Sequence, residues 1–360
     1  MNRLIKLLIV DDSALMRRQL MTLFQVEGGF DIHQARNGAE AVRENGEFEP
    51  DVVTLDINMP EMDGLTALSL IMAERPVAVV MVSSLTAQGA LATFEALNLG
   101  AVDYIAKPGG TISLSIDRIT QDLIAKVRGA ARARVKGKGS TESEMVRRIQ
   151  ERREKATAAV ALAAQSRAPS EGLLVIGAST GGPRALEIVL SGLRADFPWP
   201  VLVAQHMPAA FTKAFAERLN QCCALSVTEA SKTLPVEAGR IYIGRGGADM
   251  LLTSRSGKLN VLPAPENARY HWHPSVELLG RSVMEHYDSK RVTAVLMTGM
   301  GNDGSAAFTE IKRRGGRTIA ESEESAVVYG MPAELVAKGG ASLILAAEEV
   351  AAQVSNWAAR

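Results

Sequence analysis

Apolar runs of strand length recur along the chain, and amphipathic stretches separate them. Residues 5–10 (IKLLIV) and 51–55 (DVVTL) are compact hydrophobic segments that each end on acidic residues, and Val77–Val82 and Val102–Ala106 repeat the pattern. Between them, Ser13–Phe24 places Leu15, Leu20, Leu23 and Phe24 on one side of a helix. Strand alternating with helix predicts an α/β unit with a parallel sheet covered on both faces. The alternation stops near Leu123 and resumes at Leu173 with LLVIG, then PVLVAQH, RIYIG, RVTAVLMTG and ASLILA. A second doubly wound unit is therefore expected. Residues 1–123 form the first domain in this reading, 124–171 a linker and 172–360 the second domain.

The intervening stretch differs in composition. Between Lys126 and Lys155 there are 11 basic residues against 4 acidic ones, a local charge of +7, with no aromatic side chain. Such a segment cannot bury enough apolar surface to fold alone, although Glu144–Ala164 could form a solvated helix. It reads as a charged linker, with a docking strip for an acidic partner as the sharper alternative.

At 360 residues the chain exceeds the usual size of one hydrophobic core. Its 40 basic and 40 acidic residues balance, and aromatics make up 4%, which argues against nucleic-acid binding. No apolar run approaches the ~20 residues needed to span a bilayer, and the opening LIKLLIV is broken by Lys6 and runs into aspartates, so a cytoplasmic location without membrane insertion is expected. Cys222 and Cys223, the only cysteines, are adjacent and read as packing residues rather than a disulfide framework.

Candidate chemistry collects at the strand ends, where open parallel sheets bind ligands. Asp11 and Asp12 follow one strand and Asp56 another, so three carboxylates converge. Their repulsion calls for a hard divalent cation such as Mg²⁺, with Lys107 as a second positive charge and Ser83 as a nearby hydroxyl. Asp56 could then attack a phosphoryl donor. Single aspartates after strands are ordinarily turn residues, but turn chemistry alone does not call for the lysine and the acidic pair together.

In the second domain, GASTGG (177–182) lies between a strand and a helix opening at Pro183. Glycines around Ser179 permit a tight turn that exposes its hydroxyl at a helix N-terminus. A phosphate loop is built similarly, but the Gly-Lys-Ser/Thr ending is absent. His206 ends the next strand and could take the serine proton; a structural histidine is the plainer alternative. TGMGNDG (298–304) follows a later strand. Its Asp303 could orient the imidazolium or, more simply, cap a helix beginning near Ser305.

These strings carry a resemblance. VDDS (10–13), LDINMPEMDG (55–64), SS (83–84) and AKP (106–108) resemble a response-regulator receiver, of flavodoxin-like fold. GASTGG, QHMP and TGMGNDG resemble the catalytic domain of the chemotaxis protein-glutamate methylesterases. The resemblance implies Asp56 as the phosphorylated residue and Mg²⁺ held by Asp11, Asp12, Asp56 and the Asn58 carbonyl, with Ser83, Tyr104 and Lys107 as switch residues. It implies Ser179 as nucleophile, His206 as general base and acid, Asp303 as orienting carboxylate and the Met300 N–H in the oxyanion hole, with no cofactor for hydrolysis. The implied substrates are glutamate methyl esters on cytoplasmic helices of chemoreceptors, with deamidation of receptor glutamines as a companion activity and a chemotaxis histidine kinase as phosphodonor. A non-catalytic signalling adaptor and a DNA-binding regulator are the competing classes; the intact serine set opposes the first and the glycine-rich strand ends the second.

At YHWHPSVELL (270–279) the chain departs from the pattern, with His273 where an arginine is usual and with Trp272 and Glu277 also atypical. His271 and His273 alone lack the further ligands a metal site needs.

Overall fold

The computed structural model describes residues 3–83, 86–107, 116–133 and 172–359. Ser84, Pro108 and the helix expected over Glu144–Ala164 lie outside the described residues. The described residues form two compact units, one within residues 1–141 and one within 142–360.

The first unit has a five-stranded parallel sheet in the order β2 (Phe30–Ala35), β1 (Ile5–Val10), β3 (Val52–Asp56), β4 (Ala78–Ser83), β5 (Asp103–Ala106). Helices α1 (Ala14–Glu27), α2 (Gly38–Glu47), α3 (Gly64–Glu74), α4 (Ala87–Leu99) and α5 (Ile116–Ala130) connect or follow them. Central β3 (VVTLD) is buried along its whole length, Thr54 and Asp56 included, as befits a strand covered on both faces. The α1 helix forms as expected, but only Leu20 and Phe24 are buried in it, while Leu15 faces solvent. Ser13 caps it, its side chain accepting from the Met16 N–H. Residue 123, where the first domain was expected to end, falls inside α5, and the buried positions Val127 and Ala130 carry the packing beyond it.

The second unit is built on a seven-stranded parallel sheet. Its order is β15 (Leu343–Leu345), β14 (Arg317–Glu321), β13 (Val292–Leu296), β6 (Leu173–Ala178), β7 (Val201–Gln205), β10 (Arg240–Gly244), β8 (Ser226–Ala230). A small antiparallel sheet, β11 (Asp249–Arg255), β12 (Lys258–Ala264) and β9 (Leu234–Pro235), joins it. The β11–β12 turn has Ser256 and Gly257 both at positive φ, 50° and 74°, which suits the twist of a tight hairpin. A core of Leu173, Val175, Leu202, Val276, Leu279, Val292 and Phe308 ties the central strands to the helices Val276–His286 and Ser305–Arg313. Cys222 and Cys223 are free thiols, both half-buried.

The chain leaves β6 toward β7 on one side and returns through β13 on the other. That arrangement opens a crevice at the carboxyl end of β6, between its two neighbours.

Candidate active site and acidic pocket

Ser179, His206 and the Thr298–Asp303 loop follow these three adjacent strands. Ala178 pairs with Gln205 across β6 and β7, so Ser179 and His206 begin at the same level. The Ser179 N–H donates to the Thr298 carbonyl at 2.9 Å and the His206 N–H to the Ala178 carbonyl at 3.1 Å. Beyond Ser179, Gly181 adopts φ 76°, a left-handed turn closed to most side chains, and the helix Gly182–Gly192 starts there with Pro183 in its first turn. Gln205, wholly buried, braces the turn: its Nε2 donates to the Ser179 and His206 carbonyls, each at 3.0 Å.

His206 Nε2 lies 2.8 Å from Asp303 Oδ2. A carboxylate can only accept, so this ring nitrogen carries the proton and Nδ1 is left with its lone pair. Nδ1 is buried and has no hydrogen-bond partner. Ser179 is 9% exposed, and its Oγ does not hydrogen-bond to the ring in this conformation, although the assigned roles of the three groups call for that contact. Such contacts are commonly loose until substrate is bound.

Asp303 is 6% exposed and does not cap the helix Ser305–Arg313, the simpler alternative; Gly304, at φ 82°, occupies that position. Asp303 instead lies at the N-terminus of the helix Val276–His286. Its Oδ2 accepts from the Val276 N–H at 2.7 Å, and its Oδ1 from the Glu277 N–H at 2.9 Å and the Ser275 hydroxyl at 3.0 Å. Burial by itself would raise the carboxyl's pKa, but the hydrogen bond from His206, the positive charge of that ring when protonated and the backbone N–H groups outweigh it and hold the pKa below its ordinary value.

Ser275, Val276 and Glu277 thus support the acid, a role that the sequence pattern did not reveal. Behind them, buried Asp249 accepts from the Ser275 N–H at 2.8 Å and lies 3.0 Å from His273 Nδ1. The atypical His273 therefore pins the loop that delivers the helix. A cavity of about 440 Å³ opens beside Asp303, lined also by Arg269, Tyr270, Trp272, Asn302 and Lys338.

In the first unit, carboxylate oxygens of Asp11, Asp12 and Asp56 lie within 4.8 Å of one another. Lys107 Nζ is 3.0 Å from Asp11 Oδ2 and 2.7 Å from Asp56 Oδ2. Burial raises the Asp56 carboxyl, and Lys107 and the Asn58 N–H only partly offset it. For Lys107, burial pulls the pKa down, but the bonds to Asp56 and Asp11 prevail and leave it raised. One ammonium facing three carboxylates leaves a deficit of positive charge, and an all-oxygen set suits a hard divalent cation. The Ser83 hydroxyl donates to the Gly89 carbonyl at 3.2 Å, and Tyr104 is buried.

The sequence also matches known families. A family model for CheB methylesterase covers residues 174–354 and one for the response regulator receiver domain covers residues 7–116. The chain belongs to the CheB methylesterase family. A protein-glutamate methylesterase/protein-glutamine glutaminase of Rhodospirillum rubrum is 52% identical, the match covering 99% of this chain and 96% of that protein. One from Rhodopseudomonas palustris is also 52% identical, over 98% of each chain. Among solved structures, the catalytic domain of Thermotoga maritima CheB methylesterase aligns with a TM-score of 0.50 at 35% identity, covering 52% of this chain and 98% of that domain. Family membership accounts for both strand-edge sites on one chain.

Proposed function

We propose that the chain is a phosphorylation-regulated protein-glutamate methylesterase that also deamidates glutamines, acting in the cytoplasm on chemoreceptor helices and phosphorylated by a chemotaxis histidine kinase. The observation that carries the hydrolytic reading is the buried His206–Asp303 pair at 2.8 Å, with Nδ1 left unpartnered next to the Ser179 strand. Ser179 Oγ attacks the ester carbonyl as His206 Nδ1 takes its proton, and Asp303 stabilises the resulting imidazolium. Negative charge on the tetrahedral oxygen falls to the Met300 N–H and the N-terminus of the helix Gly182–Gly192. Collapse transfers the proton from His206 to the departing methoxide, so methanol leaves. Water, deprotonated by the same nitrogen, then frees the glutamate and restores Ser179. With a glutamine substrate the leaving group is ammonia.

In the receiver, Asp56 is the phosphoryl acceptor and Lys107 offsets charge on the transferred oxygens. Asp11, Asp12, Asp56 and the Asn58 carbonyl would hold Mg²⁺, which supplies neutralising charge to the incoming phosphoryl group. Ser83 and Tyr104 sense the acyl phosphate by reorienting. The added charge then biases two arrangements of the protein that differ little in free energy.

The test is methanol release from a methylated receptor fragment by the full chain, with and without acetyl phosphate and Mg²⁺. Wild type should be accelerated by the phosphodonor and Ser179→Ala should be inert; equal rates for the two would remove the hydrolytic reading.

A further inference from the structure

The indole of Trp272 stacks on the imidazole of His206, with ring centroids 5.3 Å apart and an angle of 4° between the planes. Two neighbours hold it there. Its six-membered ring lies against Gly301, where a β-carbon would come within 2.6 Å of Cη2, and Gly301 itself is at φ 79°. His271 meets the indole edge-on, at 5.8 Å and 86°. A bare left-handed residue and a neighbouring imidazole together form a seat for this ring.

His206 is tethered through Nε2 alone, because Nδ1 has no partner. A ring with one hydrogen bond can swing about it, and a swing moves Nδ1 relative to Ser179. A flat aromatic surface against one face removes that freedom. It also acts selectively on the charged form, since an imidazolium within about 6 Å of an indole centroid is attracted by the ring quadrupole while a neutral imidazole is much less so.

We propose that Trp272 is a positioning residue for the hydrolysis, fixing the plane of His206 and stabilising its protonated form as the reaction proceeds; this rests on the methylesterase reading given above. Its effect should therefore fall on turnover rather than on substrate affinity.

The experiment uses the full chain activated with acetyl phosphate and Mg²⁺, a methylated receptor fragment, and the variants Trp272→Phe, Trp272→Ala and Ser179→Ala. In Trp272→Ala, kcat should fall about tenfold with KM within about twofold of wild type, and Trp272→Phe should recover most of the loss. In the spectra of wild type labelled at histidine, the His206 ring protons should be displaced upfield by the indole, and that displacement should vanish in Trp272→Ala. An unchanged kcat with a raised KM would overturn the proposal by making Trp272 a substrate contact. Equal kcat losses for Phe and Ala, accompanied by lowered melting temperatures, would also overturn it by reducing the ring to packing. If Ser179→Ala keeps wild-type turnover, the methylesterase reading itself falls. If Ser179→Ala is inert while Trp272→Ala is unaffected, only the role of Trp272 falls.

Discussion

Asp303 and Val276 share a hydrogen bond of 2.7 Å that makes a helix N-terminus the seat of the acid facing His206. The same oxygen serves the Val276 N–H and His206 Nε2, and the other serves the Ser275 hydroxyl and the Glu277 N–H. All of these groups present hydrogens to Asp303, and a carboxylate is the side chain that accepts at every position.

Asp303→Asn keeps the shape and breaks this pattern. Whichever way the amide turns, its NH₂ confronts a backbone N–H, of Val276 on one side or Glu277 on the other. We expect kcat to drop by about a thousandfold or more with little change in KM, and stability to fall by about 1–3 kcal/mol. Methanol-release kinetics and urea unfolding check both. A variant within a few-fold of wild-type turnover would show that the carboxylate is only a cap.

The pH dependence follows from the lowered pKa of the same group. A carboxyl whose folded value lies below its ordinary 3.8 binds its proton less readily in the folded protein than in the unfolded chain. Its stabilisation is therefore complete above 3.8 and is lost as pH falls through the folded value. The stability difference between wild type and Asp303→Asn should be level near neutrality and shrink in acid. A difference that grows on acidification would mean the sign is wrong.

Much of this site was legible in the chain because its strands are central. β6, β7 and β13 are buried on both faces and so read as largely apolar runs, with Ser179 and His206 directly after the first two and Asp303 in the loop after the third. The outer strands β2 and β8 escaped notice for the converse reason. β2, FDIHQA, buries only Ala35, and β8, SVTEA, buries only Val227 and Ala230. The β11–β12 hairpin went unread although Ser256-Gly257 is a turn signal. The seat of Asp303 was hidden for another reason: its capping partners belong to a helix distant in sequence, and only tertiary folding brings them together. His273 and Trp272 stood out as departures, and what they touch, Asp249 and His206, became visible only in three dimensions.

Asp56 titrates in the opposite sense. Burial raises its carboxyl, so in the absence of a cation the ionised form costs stability at pH values above the folded pKa, and that cost disappears as the group is protonated. Asp56→Asn removes the buried charge while Lys107 keeps Asp11 at 3.0 Å. In metal-free buffer at neutral pH the variant should melt at or above the wild-type temperature, and Mg²⁺ should raise the wild type more than the variant. Calorimetry on the full chain reads this, and a variant melting several degrees lower without metal would contradict it. Acetyl phosphate should label the wild type and leave Asp56→Asn unlabelled.

Gln205 links the two reacting strand ends through one amide. The Ser179 carbonyl also accepts from the Gly182 N–H at 2.7 Å, but no second donor to the His206 carbonyl accompanies the Gln205 amide among the described residues. Gln205→Leu, similar in size, should therefore leave the His206 carbonyl unsatisfied in a partly buried place and free the two turns to move relative to each other. The expected cost is about 1–3 kcal/mol of stability, with a larger loss in kcat than in KM because reacting atoms a fraction of an ångström out of place lose rate before they lose binding. Thermal melts together with methanol-release kinetics separate the two effects. Wild-type kcat in a destabilised Gln205→Leu would mean that the strand ends hold their spacing through the sheet alone, and that the amide serves the fold rather than the reaction.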